Sequence, residues 1–139
     1  MNNGSVKNII VRNNVFIAGH WTAVAGQLNF SPWGILCDNG MGAQNIRIEN
    51  NEFHPFDFPV LFARSVDGIS FSNNKIARSK RFEPYHNRKY TFSFEACKNA
   101  SISNNTFSED VLGMNILLKW TPEKELNCDP GQKLKVKVE

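Results

Sequence analysis

The residues of this 139-residue chain that are best suited to chemistry lie in a loop-like stretch at 77–90, which mixes basic and aromatic side chains. Tyr85, His86 and Arg88 are the candidates there, because aromatic rings stack on sugar rings and guanidinium groups bind hydroxyls or a carboxylate. Trp33, in an earlier long loop, is a second candidate platform for a sugar ring. The alternative for all four residues is ordinary packing of solvated loops against the body of the protein.

Three charged residues form a second group of candidates. Asp57 lies among three phenylalanines and two prolines at 53–59, where desolvation would raise its pKa and suit it to acid catalysis. The alternative is an aspartate that caps a turn. Arg64 and Glu95 are 31 residues apart, the shift that aligns two repeats described below. We therefore expect them to be outward neighbours that form a cross-strand ion pair, or to line a groove together with Asp38.

Several kinds of chemistry have no support in the sequence. Cys37, Cys97 and Cys128 form no zinc-ligand spacing with the three histidines, and an odd number of cysteines argues against a disulfide framework. Phosphate-binding loops, nucleophile elbows and calcium repeats are absent, so we assign no metal, no cofactor and no catalytic residue. A net charge of +3 is too small to indicate nucleic acid as a partner, and no apolar run is long enough to span a membrane.

An internal repeat predicts the elements that position these side chains. Four segments, at 8–16, 45–53, 68–76 and 99–107, share the pattern Asn/Gly–apolar–x–apolar–x–Asn–Asn–x–apolar. Their starts fall 37, 23 and 31 residues apart, so a constant unit alternates with loops of variable length. The apolar alternation predicts a strand with one buried face. The asparagine pair predicts a tight bend, because asparagine tolerates the left-handed conformation.

Such a repeat predicts an all-β fold, a right-handed parallel β-helix of about four coils. Further strands, expected at 35–38, 60–65, 92–96 and 116–120, complete the coils. Parallel strands lie about 4.8 Å apart, so equivalent asparagines should form a hydrogen-bonded ladder along the stack. The alternative, an antiparallel sandwich of short strands, would not need the same pattern in every second strand.

The two ends of the chain differ in character. We expect residues 1–120 to form the coils and residues 121–139 to form a capping segment, which ends in a lysine-rich edge strand at 134–138. No cap precedes the first repeat, although a solenoid exposes apolar surface and unpaired backbone at its ends. We therefore expect the C-terminal end of a longer β-helix. The alternative is a short solenoid that covers its uncapped N-terminal coil by self-association.

Three stretches, at 58–69, around Pro84 and Tyr85, and at 94–99, resemble the C-terminal coils of the bacterial exo-α-1,3-galactosidases, glycoside hydrolase family 110. The resemblance implies a parent enzyme that removes terminal galactose from glycans by inversion, without a metal, in the periplasm or at the cell surface. No catalytic motif of that family matches this chain, so we expect the segment alone to be inactive. Two alternatives stay open: a non-catalytic carbohydrate-binding module and a structural or oligomerising surface β-helix.

Overall fold

The computed structural model describes residues 6–17, 23–26, 43–84, 90–111, 115–129 and 135–139. These residues form short β-strands, with a 3-10 helix at Glu123–Glu125. The strands, in chain order, are β1 (Val6–Arg12), β2 (Val15–Ile17), β3 (Ala23–Gly26), β4 (Ala43–Glu49), β5 (Glu52–His54), β6 (Leu61–Arg64), β7 (Val66–Ser72), β8 (Lys75–Ile76), β9 (Tyr90–Glu95), β10 (Lys98–Ser103), β11 (Thr106–Phe107), β12 (Asn115–Lys119), β13 (Leu126–Cys128) and β14 (Lys135–Val138). None of the described segments is a helix with the length and apolar character that a membrane crossing requires.

The strands stack into three parallel sheets, so the predicted parallel β-helix is confirmed. The first sheet has the order β1-β4-β7-β10-β13, the second β2-β5-β8-β11 and the third β3-β6-β9-β12-β14. Each full coil contributes one strand to each sheet. Where two strands per coil were expected, the structure has three, because the residues after each asparagine pair form a short strand of their own. The expected strand at 35–38 lies outside the described residues.

The core runs through the inside of the coils as stacks of equivalent side chains. Ile46 and Ile69 are paired in adjacent strands, and both are buried. Phe16 and Phe53, which are paired in β2 and β5, stack with ring centroids 5.0 Å apart. Phe53, Phe71 and Phe92 come from the three different sheets and meet across the core, at 5.4 and 5.0 Å. Full burial of each such side chain stabilises the fold by about 1.5–3 kcal/mol, so the apolar positions of the repeat fix which face of each strand points inward.

Left-handed residues turn the chain at the corners between sheets. The first asparagine of each pair has a φ between 54° and 58°; these residues are Asn13, Asn50, Asn73 and Asn104. The opening position of each repeat is also left-handed but lies within a strand of the first sheet rather than at a corner; it holds Asn8, Asn45, Gly68 and Asn99. This conformation explains why the repeat opens with asparagine or glycine. The turn from the third sheet to the first uses other residue types in the same conformation, namely Ser65, Ala96 and Trp120.

The second asparagine of each pair forms the ladder that the sequence predicts. The Asn51 backbone N–H and Nδ2 donate to Asn74 Oδ1, at 2.9 and 3.1 Å. Asn74 donates in the same way to Asn105 Oδ1, at 2.9 and 3.2 Å. Asn14 donates to Asn51 Oδ1 at the other end of the row, at 3.0 and 3.2 Å. The bonds between asparagines therefore all run toward the following coil, whereas Asn51 Nδ2 and Asn74 Nδ2 also donate backward, to Val11 O and Ile48 O of the preceding coil, both at 2.9 Å.

The last part of the chain continues two of the sheets. β13 pairs in parallel with β10, and β14 pairs in parallel with β12. All four β14 residues are exposed, and two of them are lysines. This is the character expected of a charged edge strand. The assignment of residues 121–139 to a separate capping segment stays a prediction.

Candidate functional site

The described structure contains three of the residues singled out in the sequence. Asp57, Arg64 and Glu95 are placed, whereas the other candidates lie outside the described residues; these are Trp33, Asp38, Tyr85, His86 and Arg88. The geometry of the site is therefore built from the outer face of the third sheet, which carries Arg64 and Glu95, and from the turn that holds Asp57.

Arg64 and Glu95 lie side by side on the outer face of the third sheet, because β6 and β9 pair with these two residues in register. Arg64 Nε donates to Glu95 Oε2 at 2.7 Å, and Arg64 Nη2 lies 2.5 Å from the same oxygen. The Arg64 guanidinium also lies 5.6 Å from the centre of the Phe62 ring. Both bonds use Oε2, so within the described residues Glu95 Oε1 is the carboxylate oxygen that faces no donor.

This outer face is polar and yet largely shielded from solvent. Ser93 is 6% exposed and Glu95 is 8% exposed, although both point away from the core of the helix. Thr91 is fully buried, and its Oγ1 has no hydrogen-bond partner among the described residues. Buried polar atoms are nearly always paired, so an unpaired one calls for an explanation such as a water or a ligand.

Thr91 is the extra residue of a bulge in β9. Asn115 of β12 pairs with Tyr90 and the next residue, Ile116, pairs with Phe92, so Thr91 has no opposite residue in β12. Bulges redirect side chains and are frequent beside functional sites. The sequence did not single out Thr91 or Ser93; their only signal there was a position two or four residues before Glu95 on the same strand.

Asp57 lies in a buried turn between β5 and β6. It is 1% exposed, and its neighbours Phe56 and Phe58 are 7% and 2% exposed. The Phe58 backbone N–H donates to Asp57 Oδ1 at 3.0 Å. This local bond is of the kind that stabilises turns, and a role for Asp57 in acid catalysis stays a prediction.

Arginines from the 77–90 stretch pack on the aromatic residues of the same turn. The Arg78 guanidinium lies 5.6 Å from the centre of the Phe58 ring. Arg81 lies 5.5 Å from the ring of Phe82, which in turn meets Phe56 edge to face at 5.4 Å. Phe82 is 51% exposed, so the described part of this stretch adds an accessible aromatic ring to the candidate residues that the sequence indicates.

Metal chemistry has no visible site in the part of the chain that the structure describes. No three side chains of His, Cys, Asp or Glu come close enough there to hold an ion. The arrangement offers instead a carboxylate, a guanidinium and hydroxyl groups on one partly shielded face. Such groups bind the hydroxyls of a polar, uncharged ligand.

Comparison with known proteins supplies relatives for nearly the whole chain. It is 38% identical over 142 residues to α-1,3-galactosidase B of Bacteroides thetaiotaomicron, a match that covers 95% of this chain and 23% of that protein. It is 32% identical to α-1,3-galactosidase A of Bacteroides fragilis, over 88% of this chain and 21% of that protein. α-1,3-Galactosidase B of Phocaeicola vulgatus is 31% identical over 76% of the chain and 19% of its own length.

These matches cover less than a quarter of the relatives' own length. No family model matches the chain. The relatives are nevertheless all named for one activity, and the matched region includes the repeats, the third sheet and the asparagine corners. The chain is therefore related over nearly all of its own length to the α-1,3-galactosidases, and the resemblance expected from its sequence is confirmed.

Proposed function

We propose that this chain is the C-terminal β-helix segment of a glycoside hydrolase that cleaves terminal α-1,3-linked galactose from glycans. The observation that carries the proposal is the 38% identity to α-1,3-galactosidase B over 95% of the chain. Because the chain spans about a fifth of these relatives, hydrolysis belongs to a longer protein and the segment alone is inactive. A periplasmic or cell-surface location of the parent protein in a bacterium is part of the same proposal.

The outer face of the third sheet is the part of the segment that would contact substrate. Arg64 holds one oxygen of Glu95, which leaves Glu95 Oε1 to accept a bond from a sugar hydroxyl. Inverting hydrolysis needs two carboxyl groups about 6.5–9.5 Å apart, and nothing in the described structure pairs Glu95 with a second carboxylate in that way. We therefore assign Glu95 to substrate binding and place the catalytic carboxylates elsewhere in the parent protein.

The second part of the proposed role is to close the C-terminal end of the helix. At the asparagine corners of inner coils, a backbone N–H bonds to a carbonyl of the next coil, as Asn73 does to Ser103 O at 3.1 Å. At the last such corner, the Asn104 N–H donates to Asp129 Oδ2 at 3.1 Å. A side chain thus takes the place of a further coil.

Two further backbone donors at the end of the stack, just before β10 and within it, are bonded in the same manner. The Asn99 N–H donates to Glu125 Oε2, and the Cys97 N–H donates to Thr121 Oγ1, both at 3.1 Å. Three polar side chains from 121–129 therefore accept bonds from backbone donors at the end of the stack, and of these donors the Cys97 N–H is the buried one. Unpaired backbone donors cost about 1–3 kcal/mol each when they are buried, which supports a capping role for this segment.

Among the described residues, the first coil, unlike the last, leaves apolar surface and a hydrogen-bond acceptor uncovered, which favours a further coil above it in the parent protein. Ile9 is 39% exposed, whereas its partner in the next coil, Ile46, is 6% exposed. Asn14 Oδ1 accepts no bond from any described residue, although the equivalent oxygen of Asn51 accepts two. A preceding coil with its own asparagine pair would cover the apolar surface and donate to Asn14.

The test is to express the complete reading frame that encodes this chain and to measure galactose release from a glycan with a terminal α-1,3-galactose. We expect turnover by the complete protein and none by the 139-residue chain. Glu95→Gln in the complete protein should raise KM about tenfold, because one charge-assisted hydrogen bond is weakened. Glu109→Gln, at an exposed position outside the candidate residues, is the matched control.

Two results would contradict the proposal. A complete protein that binds these glycans but releases no galactose would place the chain among carbohydrate-binding modules. A reading frame that contains only these coils, with stable oligomers and no glycan affinity, would indicate a structural β-helix. Equal kinetics of the two glutamate variants would remove the assignment of Glu95 alone.

A further inference from the structure

An open groove lined mainly by asparagines runs along the asparagine corner of the helix, on the opposite side of the second sheet from the Asp57 turn. It has a volume of about 590 Å³. One wall is the column of left-handed asparagines; its members are Asn13, Asn50, Asn73 and Asn104. The other wall is a column of residues paired in register along the second sheet; its members are Val15, Glu52, Lys75 and Thr106.

The side-chain amides of the asparagine column are free for a ligand. All four residues are exposed, and their backbone N–H groups are already used, as in the bond from Asn50 to Ser72 O at 3.2 Å. No described residue bonds to any of the four side-chain amides. The neighbouring column is different, because Asn51 and Asn74 use their amides within the ladder.

The left-handed conformation does not by itself require asparagine at this corner. Ser65, Ala96 and Trp120 adopt φ values of 55°, 49° and 50° at the third-sheet corner, and Gly68 is left-handed within β7. Asparagine suits the left-handed conformation better than these other side chains, and its use in all four coils also places a side-chain amide at every coil. Each presents one donor and one acceptor side by side, at the repeat of about 4.8 Å that parallel strands impose.

The charges along the groove cancel, which favours a neutral ligand. Glu52 Oε1 lies 3.8 Å from Lys75 Nζ and 2.7 Å from His54 Nε2, so the one acidic side chain of the groove is already paired. Neighbouring donors and acceptors match the vicinal hydroxyls of a sugar. An extended chain of β-1,4-linked hexoses advances per residue by a length close to the spacing of the coils, about 4.8 Å.

We propose that the groove binds a neutral, extended 1,4-linked glycan along the helix axis, with one sugar residue facing the corner asparagine of each coil. The contacts are hydrogen bonds from the amides of Asn13, Asn50, Asn73 and Asn104 to hydroxyls of successive sugars. This site is separate from the outer face of the third sheet. It does not depend on the proposed hydrolysis, since a chain that holds a glycan here need not cleave it.

The test is calorimetric titration of the 139-residue chain with two soluble probes, cellohexaose and 1,4-linked mannohexaose. The test variant is Asn50→Gly with Asn73→Gly, because glycine keeps the left-handed conformation and removes only the amide. The control is Asn45→Gly with Asn99→Gly, which makes the same substitutions at two left-handed positions outside the groove, where the amides donate to Asn8 Oδ1 and Asp67 Oδ1 instead. Thermal unfolding of both variants reports whether the coils are intact.

We expect the chain to bind at least one hexasaccharide, and we expect the affinity of the test variant to fall by about tenfold or more. The control variant should keep the affinity of the parent chain. Absence of binding to both probes at millimolar concentration would overturn the proposal. An equal loss in the two folded variants would do so too, because the contacts would then not lie at the asparagine corner.

Discussion

Replacing Asn74 by alanine should destabilise the helix far more than replacing Asn14, although both belong to the same ladder. Asn74 is 2% exposed. Its Oδ1 accepts bonds from the backbone and side chain of Asn51, and its Nδ2 donates to Ile48 O and Asn105 Oδ1. Asn74 does not have a positive φ, so alanine introduces no backbone strain and the change isolates the side-chain bonds.

The magnitude follows from the count of these bonds. Asn74→Ala removes four side-chain hydrogen bonds, which at about 1 kcal/mol each amounts to about 4 kcal/mol. Asn14→Ala removes two bonds, to Arg12 O and to Asn51 Oδ1, from an exposed residue at the open end. Water replaces the lost partners there, so we expect a loss of about 1 kcal/mol.

The assay is urea unfolding of the two variants, followed by circular dichroism and compared with the parent chain. A difference of about 3 kcal/mol between the variants would agree with a ladder whose inner asparagines are buried and hydrogen-bonded to a neighbour on each side. Asn74→Asp removes the Nδ2 donor and places a carboxylate at a position that is 2% exposed, so it should be less stable than Asn74→Ala at neutral pH. Equal stabilities of the Asn14 and Asn74 variants would refute the reasoning.

Three further predictions concern a left-handed position and the end of the helix. Gly68→Asn should change the unfolding free energy by less than about 0.5 kcal/mol, whereas Gly68→Val should cost about 1–2 kcal/mol, since φ there is +84°; equal melting temperatures would contradict this. Thr121→Val should cost about 1–3 kcal/mol because it orphans the buried Cys97 N–H, and Thr121→Ser should restore the stability lost. Burial, and then the Asp129 carboxylate, raise the pKa of the Cys128 thiol, so iodoacetamide should alkylate it more slowly at pH 8 than a free cysteine. Asp129→Asn should lower that pKa and speed the reaction, as measured by peptide mass mapping, and an unchanged rate would count against the carboxylate.

Much of the fold was predictable because the repeat carries the signals for both its strands and its corners. Alternating apolar residues give the inward face, and paired asparagines give both the corner and the ladder. The short strands of the second sheet were not predictable, because a strand such as Lys75–Ile76 is too short to show a period. The left-handed conformation of Ser65, Ala96 and Trp120 was not predictable either, because these residue types rarely adopt it.

The candidate site was predictable only where the alignment of two repeats places residues opposite each other in adjacent strands. The 31-residue shift between two repeats was enough to bring Arg64 beside Glu95. The shielding of Ser93 was not accessible in this way, because a polar residue that points outward from a strand is expected to be exposed. The bulge at Thr91 depends on the pairing of β9 with β12, and a local sequence pattern carries no information about that pairing.

The contrast between fixed corners and variable connections has a consequence for how such a protein can change through evolution. β5 and β6 are separated by residues 55–60, whereas β8 and β9 are separated by residues 77–89, yet the strands on both sides remain in register. Because each doubling of loop length costs only about 0.6 kcal/mol, a lineage can lengthen or replace these connections almost without penalty. New recognition loops can therefore arise by insertion next to the third sheet, while the asparagine corners preserve the alignment of every other coil.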